Sequence, residues 1–344
     1  MKILLTGAAG FIGSAFARLA LAKGHQVIVL DKLTYAGHLE NLSDIQDKNF
    51  SFIQGSITNE DLVLKLLKEN KINRVVNMAA ESHVDNSIHS PKEFMETNIM
   101  GTYNLLNCSL NYFKSLDENE KKSFRYLQVS TDEVFGSLGN TGKFSETTSY
   151  NPNSPYSASK ASADHLVRAW FHTYHLPTII TNCSNNYGPR QFPEKLIPTM
   201  ITHALALRPL PVYGQGENIR DWIHVEDHCQ GVMMALESGV PGESYCFGGN
   251  AEIKNLDLVK RICHILDEIR PRNDKKKYDE LISFVTDRPG HDWRYAIDDT
   301  KAQRDLGFKR KFTSFDEGLK STILWYLDHQ KWVEAVSKKN KANA

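Results

Sequence analysis

The residues that most restrict what this chain can become are its first two dozen, MKILLTGAAGFIGSAFARLALAKG. An apolar run reading as a buried strand passes directly into glycines spaced GxxGxxG, at Gly7, Gly10 and Gly13. Apolar positions at helical spacing follow until Gly24 stops them. With no linker between strand, turn and helix, the glycines leave backbone N–H groups at the positive end of the helix open to a pyrophosphate, where side chains would block the approach. The next strand, QVIVLD, closes on Asp31, 18 residues after Gly13. A carboxylate there accepts hydrogen bonds from adenosine ribose hydroxyls and repels a 2′-phosphate, which favours NAD over NADP.

Strand-like runs recur at NFSFIQG, RVVNMAA, FRYLQVS and PTIITNC, separated by helical stretches near 59–70, 91–114 and 156–175. Strands alternating with helices imply right-handed βαβ units and a parallel sheet, so the fold class is α/β, a Rossmann-type doubly wound parallel sheet. After residue 185 the rhythm loosens around Pro189, Pro193, Pro198, Pro209 and Pro211, and IRPRNDKKKYDE reads as an exposed connection. We therefore expect an NAD-binding domain over 1–184, to which 219–247 returns. A smaller C-terminal substrate-binding lobe takes 185–218 and 248–330, and 331–344 reads as a frayed tail. Lys plus Arg balance Asp plus Glu at 41 each, which argues against a nucleic-acid or membrane surface as partner. The start of the chain is too short and too interrupted by glycine for a signal peptide or a span. The five cysteines are scattered, odd in number and never in a CxxC pair, as expected of free thiols in a cytoplasmic, reducing setting.

Two further motifs carry chemistry. In VSTDEVFG a strand ends in Thr131, Asp132 and Glu133, a polar triplet that is costly at a buried strand end unless it meets ligand or water. In YSASK, Tyr156 and Lys160 stand four apart behind Pro155, on one helix face, where the ammonium would favour the phenolate and bring a poor base into range. HVEDH places His224 and His228 four apart, but its carboxylates are misplaced for the HExxH zinc pattern and no metal is expected.

Taken together, TGAAGFIG, LDKLTYAG, AAESHVDNSI, VSTDEVFG, PYSASKA, NCSNNYGPRQFPEKLIP, VYGQGENIRDWIHVEDH and DRPGHDWRYAID closely resemble the dTDP-glucose 4,6-dehydratases of the extended short-chain dehydrogenase/reductase superfamily. The likeness runs from Met1 to about Asp298. It implies that Tyr156 takes the proton of the carbon 4 hydroxyl while NAD accepts hydride, that Glu133 removes the carbon 5 proton, that Asp132 protonates the hydroxyl leaving carbon 6, and that Thr131 binds the carbon 4 oxygen. For the cofactor it implies the glycine turn with Phe11 and Ile12, then Lys32 and Thr34, then Ser56 and Ile57. Ala79, Ala80, Ser82 and Thr97 would line the same site, with Asn186 on the nicotinamide side. For the nucleotide sugar it implies His83, Asn185, Lys195 and Leu196, then Pro211, Tyr213 and Arg220, and finally Asn255, Arg288 and His291. Arginine suits the diphosphate because its guanidinium is bidentate. The resemblance also implies a homodimer through the helices near 91–114 and 156–175. It departs from the family at GSI: an aspartate usual at the adenine amino group is Ser56 here, which weakens adenine recognition.

Two other classes remain open on the residues alone. A sugar-nucleotide 4-epimerase would use the same Tyr156 and Lys160 but needs no carboxylate pair beside carbons 5 and 6. A non-catalytic NAD-binding module would need none of Thr131, Tyr156 and Lys160.

Overall fold

The computed structural model describes residues 1–343, with side chains through Lys338. Its strands are β1 (Lys2–Thr6), β2 (Gln26–Asp31), β3 (Phe50–Gln54), β4 (Arg74–Asn77), β5 (Arg125–Thr131) and β6 (Thr178–Cys183), then β7 (Asn185–Tyr187), β8 (Leu210–Tyr213), β9 (Ile219–His224), β10 (Ser244–Phe247), β11 (Glu252–Lys254) and β12 (Ile282–Val285). The helices are α1 (Phe11–Ala22), α2 (Glu60–Glu69), α3 (Val84–His89), α4 (Pro91–Phe94), α5 (Thr102–Ser115), α6 (Glu118–Ser123) and α7 (Pro155–Tyr174). In the second half come α8 (Leu196–Leu205), α9 (Val225–Ser238), α10 (Asn255–Ile269), α11 (Thr300–Leu306), α12 (Phe315–Asp328) and α13 (Gln330–Asn343).

Seven strands make one sheet in the order β10-β6-β5-β4-β1-β2-β3, every pair parallel. A parallel sheet covered on both faces needs strands apolar on both faces, which is why runs such as Ile3-Leu4-Leu5 and Val27-Ile28-Val29-Leu30 do not alternate and are wholly buried. Ile3, Leu5, Val27 and Val29 face α1 and α9, while Leu4, Ile28 and Val75 face α2, α5 and α7, giving two cores back to back. The chain runs outward from β1 to β3, then crosses to β4 on the other side of β1. Ligands of such sheets bind at this reversal, beyond the carboxyl ends of the strands.

A third core belongs to the lobe, where Ile197, Ile201, Leu258, Ile262, Leu319 and Ile323 of α8, α10 and α12 pack together. The chain's return to the main sheet begins later than residue 219. β9 pairs with β7 and β11 in a separate three-stranded sheet, with Trp222 in the lobe's core and Ile223 in the main one, and α9 and β10 then rejoin the large sheet.

Two other expectations are corrected. The stretch 91–114 is not one regular helix: a π-helical turn, Met95–Gly101, separates α4 from α5. Asn98 in that turn is buried and fully engaged. Its amide donates to Glu81 O (3.0 Å) and Ser159 Oγ (2.8 Å), and its oxygen accepts from Glu81 N (2.9 Å), so the widened turn is tied to β4's exit loop and to α7. The segment 331–344, expected to be frayed, is helical through Asn343. Val336 is buried in it, and the Trp332 indole donates to Asn41 Oδ1 at 3.0 Å, so the helix is anchored across to the NAD-binding side.

Candidate active site

A cleft of about 620 Å³ opens between the carboxyl end of the main sheet and the lobe. Each residue assigned above to cofactor, sugar nucleotide or chemistry lines it, although these residues come from segments spread between Gly7 and His291.

Its cofactor half is built on β1 and α1. Gly7 has φ +72°, and a Cβ there would lie 2.6 Å from Ala79 N, while one on Gly13 would lie 2.3 Å from Gly7 O, so strand and helix close up only over glycine. A Cβ on Gly10 would meet only Gly7 O, at 3.2 Å, and would project toward the cleft that Gly10 lines. Gly10 supplies no side-chain cap to α1, and the helix has no acidic residue in its first turn. Its leading N–H groups are therefore left for an anion, which fits a dinucleotide's pyrophosphate. At the end of β2 the Asp31 carboxylate is fixed by the Ala9 and Leu33 N–H groups, both at 2.8 Å, and these bonds offset the burial that pushes its pKa up. Ser56 spends its hydroxyl locally, accepting from Thr58 N (3.1 Å) and sharing a hydrogen with Thr58 Oγ1 (2.7 Å).

The chemical centre sits where β5 ends. Thr131 caps a short 3-10 turn, Asp132–Phe135, by accepting from Glu133 N, and the turn ends at Gly136, φ +88°. A Cβ on Gly136 would lie 2.4 Å from Asn151 O, so only glycine lets the loop before α7 close over the triplet. Asp132 is buried and Glu133 half-buried beside it in the cleft, and the two differ. Burial, then the Glu133 and Asp221 carboxylates, push Asp132 well above the carboxylate range. Glu133 is raised by burial, but the Arg220 and Lys195 cations pull it back. Across from them α7 begins at Ser154, which accepts from Ser157 N at 3.0 Å while Ser157 Oγ accepts from Ser154 N at 3.0 Å, with Pro155 opening the first turn. That cap aims Tyr156 into the cleft.

Lys160 stands one turn after Tyr156 on α7. Its Nζ donates to Val129 O at 2.8 Å, and the Tyr156 phenol is pushed up by burial first and by the Glu133 carboxylate second, with the Thr131 hydroxyl acting the other way.

In the sugar-nucleotide half, Arg220 is pinned by carbonyls: its guanidinium donates to Ile219 O (2.8 Å) and Asp292 O (3.0 Å) and lies 4.3 Å from the Tyr295 ring centroid. Arg288 lies 5.5 Å from the Tyr213 ring centroid and 3.4 Å from Asp85. Lys195 Nζ donates to Ser82 O at 3.0 Å, and His291 Nδ1 meets Asp287 Oδ1 at 2.6 Å. Burial and Lys195 lower His83 to about 4, so it enters the cleft neutral. The HVEDH histidines have other partners. His224 Nδ1 accepts from Glu226 N and caps α9, and His228 Nδ1 bonds Asn186 Oδ1 at 2.9 Å.

A dTDP-glucose 4,6-dehydratase from Xanthomonas campestris pv. campestris is 52% identical over 97% of this chain and 95% of its own length. The chain belongs to the dTDP-glucose 4,6-dehydratase family. The profile of the family described as GDP-mannose 4,6 dehydratase matches residues 4–322. Among solved structures, the dTDP-glucose 4,6-dehydratase of Bacillus anthracis in complex with NAD superposes with TM-score 0.86 at 43% identity, covering 98% of this chain and 99% of that one. The Streptomyces venezuelae dTDP-glucose 4,6-dehydratase, solved with NAD, gives TM-score 0.89 at 41% identity, covering 98% and 100%.

Several cleft-lining residues of this family member escaped sequence reasoning. Glu194 accepts from the Tyr35 hydroxyl at 3.2 Å, linking the loop after β2 to the lobe, and Asp292 and Tyr295 flank Arg220. All three lie inside blocks already quoted, Glu194 and Asp292 directly beside residues that were chosen. Adjacency to Lys195 and His291 was the available signal, and only the folded loops show which neighbours turn inward.

Proposed function

We propose that this protein dehydrates dTDP-glucose to dTDP-4-keto-6-deoxyglucose, a hydro-lyase reaction with no net redox change that feeds deoxysugar biosynthesis. The observation that carries the reading is that buried Asp132, half-buried Glu133 and Tyr156 line one cleft, where burial raises both carboxyls while Arg220 and Lys195 restrain Glu133. An acid and a base at one pH require that separation. Bound NAD would supply the acceptor for the carbon 4 hydride and the donor of the hydride to carbon 6. Around it, Tyr156 takes the carbon 4 hydroxyl proton and Thr131 binds that oxygen. Glu133 removes the carbon 5 proton, made acidic by the neighbouring ketone, and protonated Asp132 delivers its hydrogen to the hydroxyl leaving carbon 6. Asp31 and the α1 N-terminus hold the cofactor, and Arg220, Arg288 and Lys195 hold the diphosphate and its nucleoside.

The test is incubation with dTDP-glucose in deuterated water. A 4-keto sugar carrying deuterium at carbon 5 is expected, whereas a 4-epimerase exchanges nothing at carbon 5, and a product without that deuterium sinks the reading. A panel of dTDP-, UDP-, CDP- and GDP-glucose then fixes the base, for a thymine methyl is worth only about 1 kcal/mol when buried.

A homodimer through 91–114 and 156–175 is part of the same proposal. Met100 (54% exposed), Tyr103 (41%) and Tyr174 (46%) leave an apolar strip there, bridged by Trp170, whose ring centroid is 5.8 Å from Tyr103's and 5.4 Å from Tyr174's. The cytoplasm suits five free, buried cysteines. Among the described residues no helix is long and apolar enough to cross a membrane.

A further inference from the structure

Tyr156, Lys160 and Asp164 stand at four-residue intervals on α7, and the reaction above makes no use of Asp164. It is 0% exposed. Its Oδ2 accepts from the Ser130 hydroxyl at 2.6 Å and the Tyr150 hydroxyl at 3.0 Å, while Oδ1 is buried with no hydrogen-bond partner among the described residues. Burial pushes the Asp164 carboxyl up, Lys160 and then the two hydroxyls favour its ionised form, and a buried carboxylate needs a cation. Lys160, one turn away on the same face, is buried too, and its Nζ donates to a neutral carbonyl, Val129 O. An ammonium so placed releases its proton unless a fixed negative charge opposes the loss.

The groups around the two can be named element by element. On α7 itself Arg168 faces Asp164 from the far side, its guanidinium 5.9 Å from the Tyr150 ring centroid. From β6 comes the Cys183 thiol, which burial pushes up to about 12 and so keeps neutral. β5 offers the Ser130 hydroxyl, and the Tyr126 and Tyr150 phenols are both pushed upward by burial. Asp132 and Glu133 act on Tyr156 at the other end of the row. Of these groups, Asp164 does most to keep Lys160 charged against burial.

We propose that Asp164 is a positioning residue for the reaction: its fixed charge holds Lys160 as an ammonium and thereby sets the acidity of Tyr156, which Asp164 does not touch. The inference rests on the assignment of Tyr156 as the base for the carbon 4 hydroxyl.

The experiment is the pH profile of kcat/KM with dTDP-glucose for wild type and Asp164→Asn, each as NAD-loaded holoenzyme. Losing the charge lets Lys160 shed its proton earlier, so activity is retained at the acid end and the alkaline limb moves down by about one pH unit or more. Placed in a Lys160→Met background, Asp164→Asn changes the residual kcat/KM by less than about twofold, because the route through Lys160 is already gone. An unmoved alkaline limb, or equal losses in both backgrounds, overturns the proposal. If Asp164→Asn does not fold, Tyr150→Phe removes a donor from Oδ2 and makes Asp164 harder to ionise. The acid limb then moves to higher pH, and an unmoved limb again overturns it. Wild type run alongside separates the failures: no 4-keto product from it refutes the reaction, and this inference falls with it.

Discussion

The division of labour inside the TDE triplet can be tested one atom at a time. Glu133→Gln is nearly isosteric but a very weak base, so product formation should fall by roughly 10² to 10⁴-fold. The amount of deuterium entering carbon 5 should fall in step if Glu133 is the base for that proton, as proposed. In the proposed reaction Asp132 acts protonated, and its pKa is raised mainly by burial. Elimination should therefore slow as pH rises through that raised value and, separately, as pH falls through Glu133's. A bell-shaped kcat profile whose alkaline limb moves to higher pH in Asp132→Asn, where only the Lys160 ionisation remains to set it, is the expected outcome. Ser56 gives a prediction about cofactor retention. Its hydroxyl is spent on Thr58. An aspartate in its place can keep Thr58 N while presenting charge to adenine, so Ser56→Asp should tighten NAD binding several-fold by titration calorimetry. At this scale the sequence was most readable where function is local: the glycines, Asp31, the triplet and Tyr156 were all chosen from short strings. Asp164, Glu194 and Tyr35 were passed over because their meaning lies in partners far along the chain, 34 residues away for Ser130 and 159 for the Tyr35–Glu194 pair.

Among the elements, α7 shows how a local rule positions chemistry. Ser154, Pro155 and Ser157 form a cap legible in the sequence, and Tyr156 is the second residue of the helix. Ser154→Ala removes the acceptor for Ser157 N and should cost about 1 kcal/mol in chemical denaturation. Activity should fall further than that loss implies, because the first turn carrying Tyr156 loosens. The helical rhythm of 91–114 was equally visible, but not its π-helical turn. That turn follows from Asn98 satisfying Glu81 and Ser159, and periodicity cannot show a buried amide's partners. The small sheet of β7, β9 and β11 was missed for a related reason. Its outer strands, Asn185–Tyr187 and Glu252–Lys254, are three residues each, too short for any period to declare itself.

For the molecule as a whole, buried histidines set a limit on acid stability. Burial lowers His228 to about 3, and its ordinary value is 6.5, so in the pH window between these values the unfolded chain binds a proton that the folded one refuses. Stability from this group is present above pH 6.5 and lost as pH falls toward 3. His228→Asn, which can still donate to Asn186, removes the liability. Relative to wild type it should gain about 2 kcal/mol between pH 6.5 and pH 5, read from denaturant midpoints at each pH. The order of the large sheet also bears on how the chain is made. Its end strand beside β6 is β10, and between Cys183 and Ser244 the chain builds β7, α8, β8 and β9 and then α9. A nascent chain that has emerged only as far as β6 therefore presents that strand's hydrogen-bonding edge bare. The edge stays open to pairing with a neighbouring polypeptide until Phe247 has left the ribosome.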